Sequence, residues 1–454
     1  MLIHARTFLA GMHYVAAVVC FGCLTTVGVA DEPAPTAAAD WPQWRGPRGD
    51  GQARGAQLPE RLPSGEIQPL WTAATAEGWS SPIIAEGRVF VTDRVGNEER
   101  LSAFDATNGE LLWRRANPVA FEPHEVGRRH GNGPKSTPVY SDGRVYSLGI
   151  AGHLQCVDAA EGKPIWVKIL PADFGAAEPF EGNEPLVNGE TNVIVPVGNG
   201  QGAPVPLFGY TGSLLIVDDL LIAPVGGANG GTIIAFNKVT GVIVWQALQE
   251  NVSYSSPIAA TIGGVRQVVV MTGPRVVGLA VTDGKLLWSF DYQNPYDESI
   301  GTPVFTGDLV IVTATQRPLS AHRIAMNAGG FQAETAWTNH EFSSYLSSMV
   351  VVGEHLYGMN DGGAWHCIRV ADGKAVWRGG DHGFYSTPIV VGSRLLGLNE
   401  QGELAVLGAD SIAYHLETTI RLSREPTWTS PAIVDNRLYV RSRSALACFE
   451  LKTP

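Results

Sequence analysis

The sequence is short of the groups on which many enzymes and nucleic-acid binders depend. Among its 454 residues are five cysteines, no two adjacent, and only Cys156, Cys367 and Cys448 lie beyond residue 30. Three scattered thiols cannot form a zinc cage, and the eleven histidines include no HExxH and no close pair apart from His124 and His130. No metal site is therefore expected. A G-x-S-x-G elbow is absent, which excludes the usual serine hydrolase geometry. The stretch Gly131-Asn132-Gly133-Pro134-Lys135-Ser136-Thr137 fails as a phosphate loop, because Pro134 stands where a backbone donor is needed and a strand, not a helix, follows. The 32 Lys and Arg are outnumbered by 44 Asp and Glu, and the net charge is -12. With no basic stripe, nucleic acid is not expected as a partner. Beyond residue 30, no run stays apolar over the roughly eighteen residues a spanning helix needs.

Glycine, by contrast, is abundant. The chain has 53 glycines and 29 prolines, with 44% hydrophobic residues, a composition that gives a large core and many turns between short strands. Residues 1–30 differ from the rest. Arg6 precedes an apolar stretch from about Tyr14 to Val29, and Gly28-Val29-Ala30 supplies small residues for cleavage, so a signal peptide ending at Ala30 is expected. The alternatives are an uncleaved anchor and lipidation at Cys23. Residues 31–65 read as a Pro/Ala linker followed by the segment WPQWRGPRGDG, and residues 66–454 as one repeat array.

That array has eight copies of one pattern. Each starts with a hydroxyl residue, usually followed by proline: Ser81, Thr137, Ser213, Ser256, Thr302, Ser348, Thr387 and Ser430. In most copies a few apolar residues and a turn pair such as Glu86-Gly87 or Asp142-Gly143 then predict a β-hairpin. Five copies continue with a small residue, Gly six positions later and Trp ten positions later, as in Ala103, Gly109, Trp113 and in Cys156, Gly162, Trp166. The repeat predicts an all-β fold, an eight-bladed β-propeller of four-stranded antiparallel blades. The eighth copy has only three strands, so Ile67 to Trp71 is expected to close it from the N-terminal side. Residues 171–211, rich in Gly, Pro, Asn and Glu, are expected to form a surface loop between the second and third blades. The acidic residues Asp173, Glu178, Glu181 and Glu184 within it lack the oxygen spacing of a calcium loop.

Small residue, Gly and Trp at this spacing, after Ser/Thr-Pro hairpins, resemble the tryptophan-docking repeat of the quinoprotein-type (PQQ-like) β-propellers. By architecture, the chain is similar to the periplasmic BamB-type assembly factors and to PQQ-dependent dehydrogenases. The resemblance implies a periplasmic or secreted protein acting as a scaffold for an envelope protein or small ligand. It leaves as alternatives a dehydrogenase using PQQ with calcium and the ectodomain or partner of a signalling complex. PQQ alcohol dehydrogenases typically carry an adjacent Cys-Cys pair against the cofactor, which this sequence lacks, so no cofactor is expected. A monomer is expected, in contact with a membrane only through its N-terminus or a partner.

The candidate binding residues come from position in the repeat. Three places before the proline stand Trp79, Lys135, Ile300, Tyr254, Tyr385 and Trp428, with Leu346 at the matching place in a copy without proline. Propeller topology gathers these strand starts at one mouth of the channel. There the aromatics and Lys135 can grip a planar or anionic ligand or a peptide, or else simply cap the inner strands. The loop ending in His130 runs to the same mouth. No catalytic residue is assigned.

Overall fold

A computed structural model describes residues 40–123, 125–174, 206–227 and 231–452. The expected signal peptide, His124 and most of the 171–211 insertion lie outside them. The described chain forms eight four-stranded antiparallel sheets, which span residues 83–118, 139–169, 215–247, 258–291, 304–339, 350–379, 389–421 and 432–450 together with Trp71–Ala74. Among the described residues helix is confined to Leu170–Phe174 and two short 3-10 segments, and no described helix is long and apolar enough to cross a membrane.

The hairpins form where the turn pairs stand. Glu86, Asp142, Asp218 and Asp435 take positive φ between 49° and 54°, and the Gly at the first place of the pair in other blades takes one between 56° and 61°. This conformation is the one a two-residue hairpin requires. Blade four, which has no Asp or Glu pair at that place, turns at Gly263-Gly264.

Each strand buries alternate side chains against the next blade, so the core lies between blades and not within them. Phe90, Leu101 and Ala103 of the first blade, for example, meet Val145 and Val157 of the second. The Trp of the repeat joins neighbours in a definite way. Its register partner across the outer hairpin is the small residue of its own blade: Ala103 opposite Trp113, Cys156 opposite Trp166, Ala235 opposite Trp245. The glycine it covers belongs to the following blade. A Cβ on Gly162 would come within 2.5 Å of Trp113, and one on Gly284 within 2.6 Å of Trp245. The indole N–H then donates to a carbonyl of that blade, Trp113 to Ala159 at 3.0 Å and Trp245 to Val281 at 2.8 Å.

The departures obey the same rule. Blade five extends its outer hairpin through Arg317–Asn327 and Gly330–Asn339 and has no receiving glycine. Trp288 of blade four turns inward instead, over Gly278 of its own blade, and donates to Gln267 Oε1 at 2.7 Å. Cys156, Cys367 and Cys448 are free and buried, as the small-residue position demands.

The ring closes through the N-terminal side. Trp71–Ala74 pairs antiparallel with Ala445–Glu450, completing blade eight. The pairing begins at Trp71 and not at Ile67, whose amide bonds to Arg421 O of blade seven. Trp71 also covers Gly109 of the first blade and donates to Ala106 O at 3.2 Å. Just upstream, Gly65–Glu66 adds a fifth, parallel strand to blade seven.

The segment Trp41 to Ala53 enters the channel. Trp41 is 3% exposed and pairs with Ile84 of the first blade, and Pro42 O accepts from Tyr140 N of the second. Trp44 Nε1 donates to Thr302 Oγ1 of the fifth blade at 2.9 Å. The buried Arg45 guanidinium donates to Met349 O of the sixth, while Gln52 bridges to Val390 of the seventh. This short segment, which has no repeat periodicity, thus spans the ring from inside.

Candidate functional site: a blind pocket at one mouth of the channel

The strand starts do converge. Trp79, Lys135, Tyr254, Ile300, Leu346, Tyr385 and Trp428 line one cavity of about 190 Å³, and His130 joins them at the end of the 3-10 segment Glu125–His130. Each strand start lies just before the innermost strand of its blade, and the pseudo-symmetry of the ring brings them together.

The aromatic residues form a collar. Trp79 and Trp428 stack with ring centroids 5.2 Å apart and planes 29° apart. Tyr385 meets Trp428 edge-on at 5.1 Å, and His130 meets it at 5.3 Å. Phe208 links His130, at 5.7 Å, to Tyr254, at 5.3 Å. Such tilted and offset contacts hold rings rigidly. Trp79 Nε1 is tied to His130 O at 2.9 Å. Tyr254 is only 7% exposed, whereas Trp79, Tyr385 and Trp428 keep part of their surface open.

Burial governs the charges here. It pulls His130 down to about 4, helped by the neighbouring Arg129 and Lys135, so the imidazole is neutral near neutral pH. Burial also pulls the Lys135 ammonium down to about 8, against the opposing pull of Glu77 and Glu99. Tyr345 is pushed up to about 12 by burial and by Glu298.

Three parts of the site escape a reading of the sequence. The first is the floor, where Trp44 of the inserted segment closes the cavity from below. The second is Phe208, at the C-terminal end of the 171–211 insertion. Phe208 lines the cavity and Tyr210 is 2% exposed, so this end of the insertion packs inward instead of lying on the surface. The third is the hydroxyl residue that opens every repeat. Ser81 N donates to Thr137 Oγ1 at 3.2 Å, Thr137 N to Ser213 Oγ at 3.1 Å and Ser213 N to Ser256 Oγ at 3.0 Å. Thr302 N donates to Ser348 Oγ, Ser348 N to Thr387 Oγ1, and Ser430 N to Ser81 Oγ. Bonds from backbone amide to neighbouring hydroxyl therefore run around the channel. The repeated Ser/Thr was the available signal, but in sequence it marks only where a hairpin begins.

The lining contains no Asp or Glu. Among the described residues, no group of three or more His, Cys, Asp or Glu side chains could hold a metal. Calcium takes mostly carboxylate and carbonyl oxygens, and the one charged group in this lining is an ammonium. The residues present therefore do not suit a calcium-polarised quinone.

A family model described as outer membrane protein assembly factor BamB matches residues 65–121 and 97–379. The chain belongs to the BamB family. It is 24% identical over 382 residues to the outer membrane protein assembly factor BamB of Burkholderia pseudomallei, a match covering 76% of this chain and 89% of that one. Among solved structures, BamB of Moraxella catarrhalis aligns with a TM-score of 0.55 at 14% identity, over 84% of this chain and 99% of the other. The computationally designed Ika8 protein aligns with a TM-score of 0.57 at 12% identity, over 85% and 100%. At these identities the structural likeness speaks for the fold. The BamB family model does not extend to Trp41–Ala53.

Proposed function

We propose that this BamB-family propeller is a periplasmic or secreted binding scaffold of the cell envelope and that its contacts are made through the aromatic collar. The observation that carries this reading is the collar itself: partly open Trp and Tyr rings around a concave, carboxylate-free pocket. Aromatic anchors in a pocket are what a binding hot spot needs, whereas dehydrogenation needs a general base and a cation beside the reacting atoms. Family membership supports the same reading, since the family description names an assembly factor.

The test uses the exported full-length chain with a photo-cross-linking residue at Phe384, which is 60% exposed and adjacent to Tyr385. Cross-links are expected to concentrate on one envelope component and to vanish in a Trp79→Ala, Trp428→Ala double variant whose melting temperature stays close to wild type. Scattered cross-links that ignore the double substitution would count against the collar. Robust dye reduction after incubation with PQQ and calcium would replace the scaffold by a dehydrogenase.

A further inference from the structure

The floor of the pocket shows what chemistry its ligand should carry. Ser81, Thr137, Ser213, Ser256, Ser348 and Thr387 each accept a backbone N–H on the hydroxyl oxygen, and Thr302 accepts the indole N–H of Trp44. A hydroxyl has a single O–H to donate beside its acceptor lone pairs. None of these seven donates to another group among the described residues, and all seven line the cavity. One lone pair of each is committed to the ring or, at Thr302, to Trp44, which leaves the O–H free to donate to whatever enters.

Lys135 adds a charge to this set. Its Nζ donates to Gly131 O at 3.3 Å, and no carboxylate stands within ion-pair distance of it among the described residues. An ammonium has three donors, so two remain. Burial without an ionic partner is costly for such a group, which agrees with the depressed affinity for its proton.

The occupant must therefore bring acceptors and a negative charge to the floor, and an apolar flat body to the collar. A phosphate dianion would exceed the single cation. The volume of about 190 Å³ is below that of drug-sized sites, which limits the body to one or two rings. Trp44 lines the cavity at the level of Thr302, and the partly open rings of the collar line its mouth.

We infer that the pocket binds a small aromatic carboxylate, inserted acid-first, with its oxygens on Lys135 and the hydroxyl ring and its ring face on the Trp79 and Trp428 side chains. This rests on the mouth being a binding site and deepens that reading by naming a ligand class. The charges that act on Lys135 are those of Glu77 and Glu99, while Lys135 and Arg129 together act on the neutral His130.

Indole-3-acetate and its uncharged counterpart indole-3-acetamide are titrated by calorimetry into the purified full-length protein at pH 7. One equivalent of the acid is expected to bind, and the amide at least tenfold more weakly. Lys135→Met should weaken the acid at least tenfold and leave the amide unchanged, while Thr137→Val, which removes one donor together with the acceptor of Ser81 N–H and keeps the charge, should weaken the acid by a smaller factor. Equal affinity for acid and amide, or an acid affinity indifferent to Lys135→Met in a variant that still unfolds cooperatively, would overturn the inference. No saturable heat from the acid while the collar still cross-links its envelope component would also overturn it, leaving the scaffold intact. If neither the acid nor the cross-link responds to Trp79→Ala, Trp428→Ala, both readings fall.

Discussion

At the scale of single residues, the repeat ties each blade to its neighbour. Trp245 is 6% exposed and lies over Gly284 of the next blade, where a Cβ would sit 2.6 Å from its ring and φ is +71°. Trp245→Ala is expected to cost about 3 to 5 kcal/mol, the range for removing a buried large aromatic side chain. Gly284→Ala should also destabilise, through the clash and the left-handed backbone. In the double variant the clash has gone, so the two losses should not add. A coupling of about 1 kcal/mol or more in denaturant titrations is expected, and strict additivity would mean that the indole is not held by that glycine. Lys135 carries a second prediction. Its folded-state value lies near 8, below the unfolded 10.5, so the folded chain holds fewer protons across that window. Stability is lost as pH falls through it, and the full penalty is present below about 8. Lys135→Met should therefore melt higher than wild type at pH 7, with the difference closing as pH approaches 10.5, as differential scanning calorimetry would show.

Elements differ in how plainly the sequence announces them. The hairpins and the closing strand were legible, because turn pairs recur at fixed offsets and Trp71 stands unpaired before a final blade that is one strand short. Strand limits were less so, since Ile67 looks as strand-like as Trp71 but bonds to blade seven. The inserted segment Trp41 to Ala53 was opaque as structure. It has no period, and its bonds go to side chains and carbonyls on blades far apart in the sequence, such as Thr302 and Met349. The mouth was legible by position alone, through the strand starts. Trp44 and Phe208 were not, because they come from segments outside the repeat. Truncation separates these elements. Removal of residues 1–60 takes the inserted segment and spares the closing strand Trp71–Ala74, so a soluble monomer with a lowered melting temperature is expected. Removal of residues 1–75 takes both, exposes the edge Ala445–Glu450 and should aggregate. Size-exclusion chromatography with thermal melting distinguishes the two, and an undiminished melt in the longer truncation would sink the closure scheme.

Over the whole molecule, a ring of blades has no single core. Among the described residues stability is shared by seven interblade clusters. Five histidines among the described residues have burial as the main influence on their charge, and His382 is one of those it lowers. It pulls His130, His153, His322 and His366 each down to about 4, with Arg129 and Lys135 adding to the effect at His130, Arg115 at His153 and Arg378 at His366. His322 stacks on Phe290 at 3.6 Å and shares a hydrogen bond with Ser320 at 3.0 Å, and His366 meets Phe342 edge-on at 5.0 Å. Because the folded values lie below the unfolded 6.5, the unfolded chain binds more protons between about pH 4 and 6.5. The contribution of these groups is fully present above 6.5 and is lost as pH falls toward 4. For a buried imidazole such as His322 or His366, a depression of this size corresponds to about 2 to 3 kcal/mol. Glu99, pushed up to about 7 by burial, works in the opposite sense over an overlapping range, so the total slope is a poor reporter and a variant comparison is the better one. His322→Gln with His366→Gln is expected to flatten the fall in unfolding free energy between pH 6.5 and 4 by about 4 to 6 kcal/mol in all, whatever it does at pH 7. Parallel pH profiles for variant and wild type would show that neither imidazole is kept neutral by the fold.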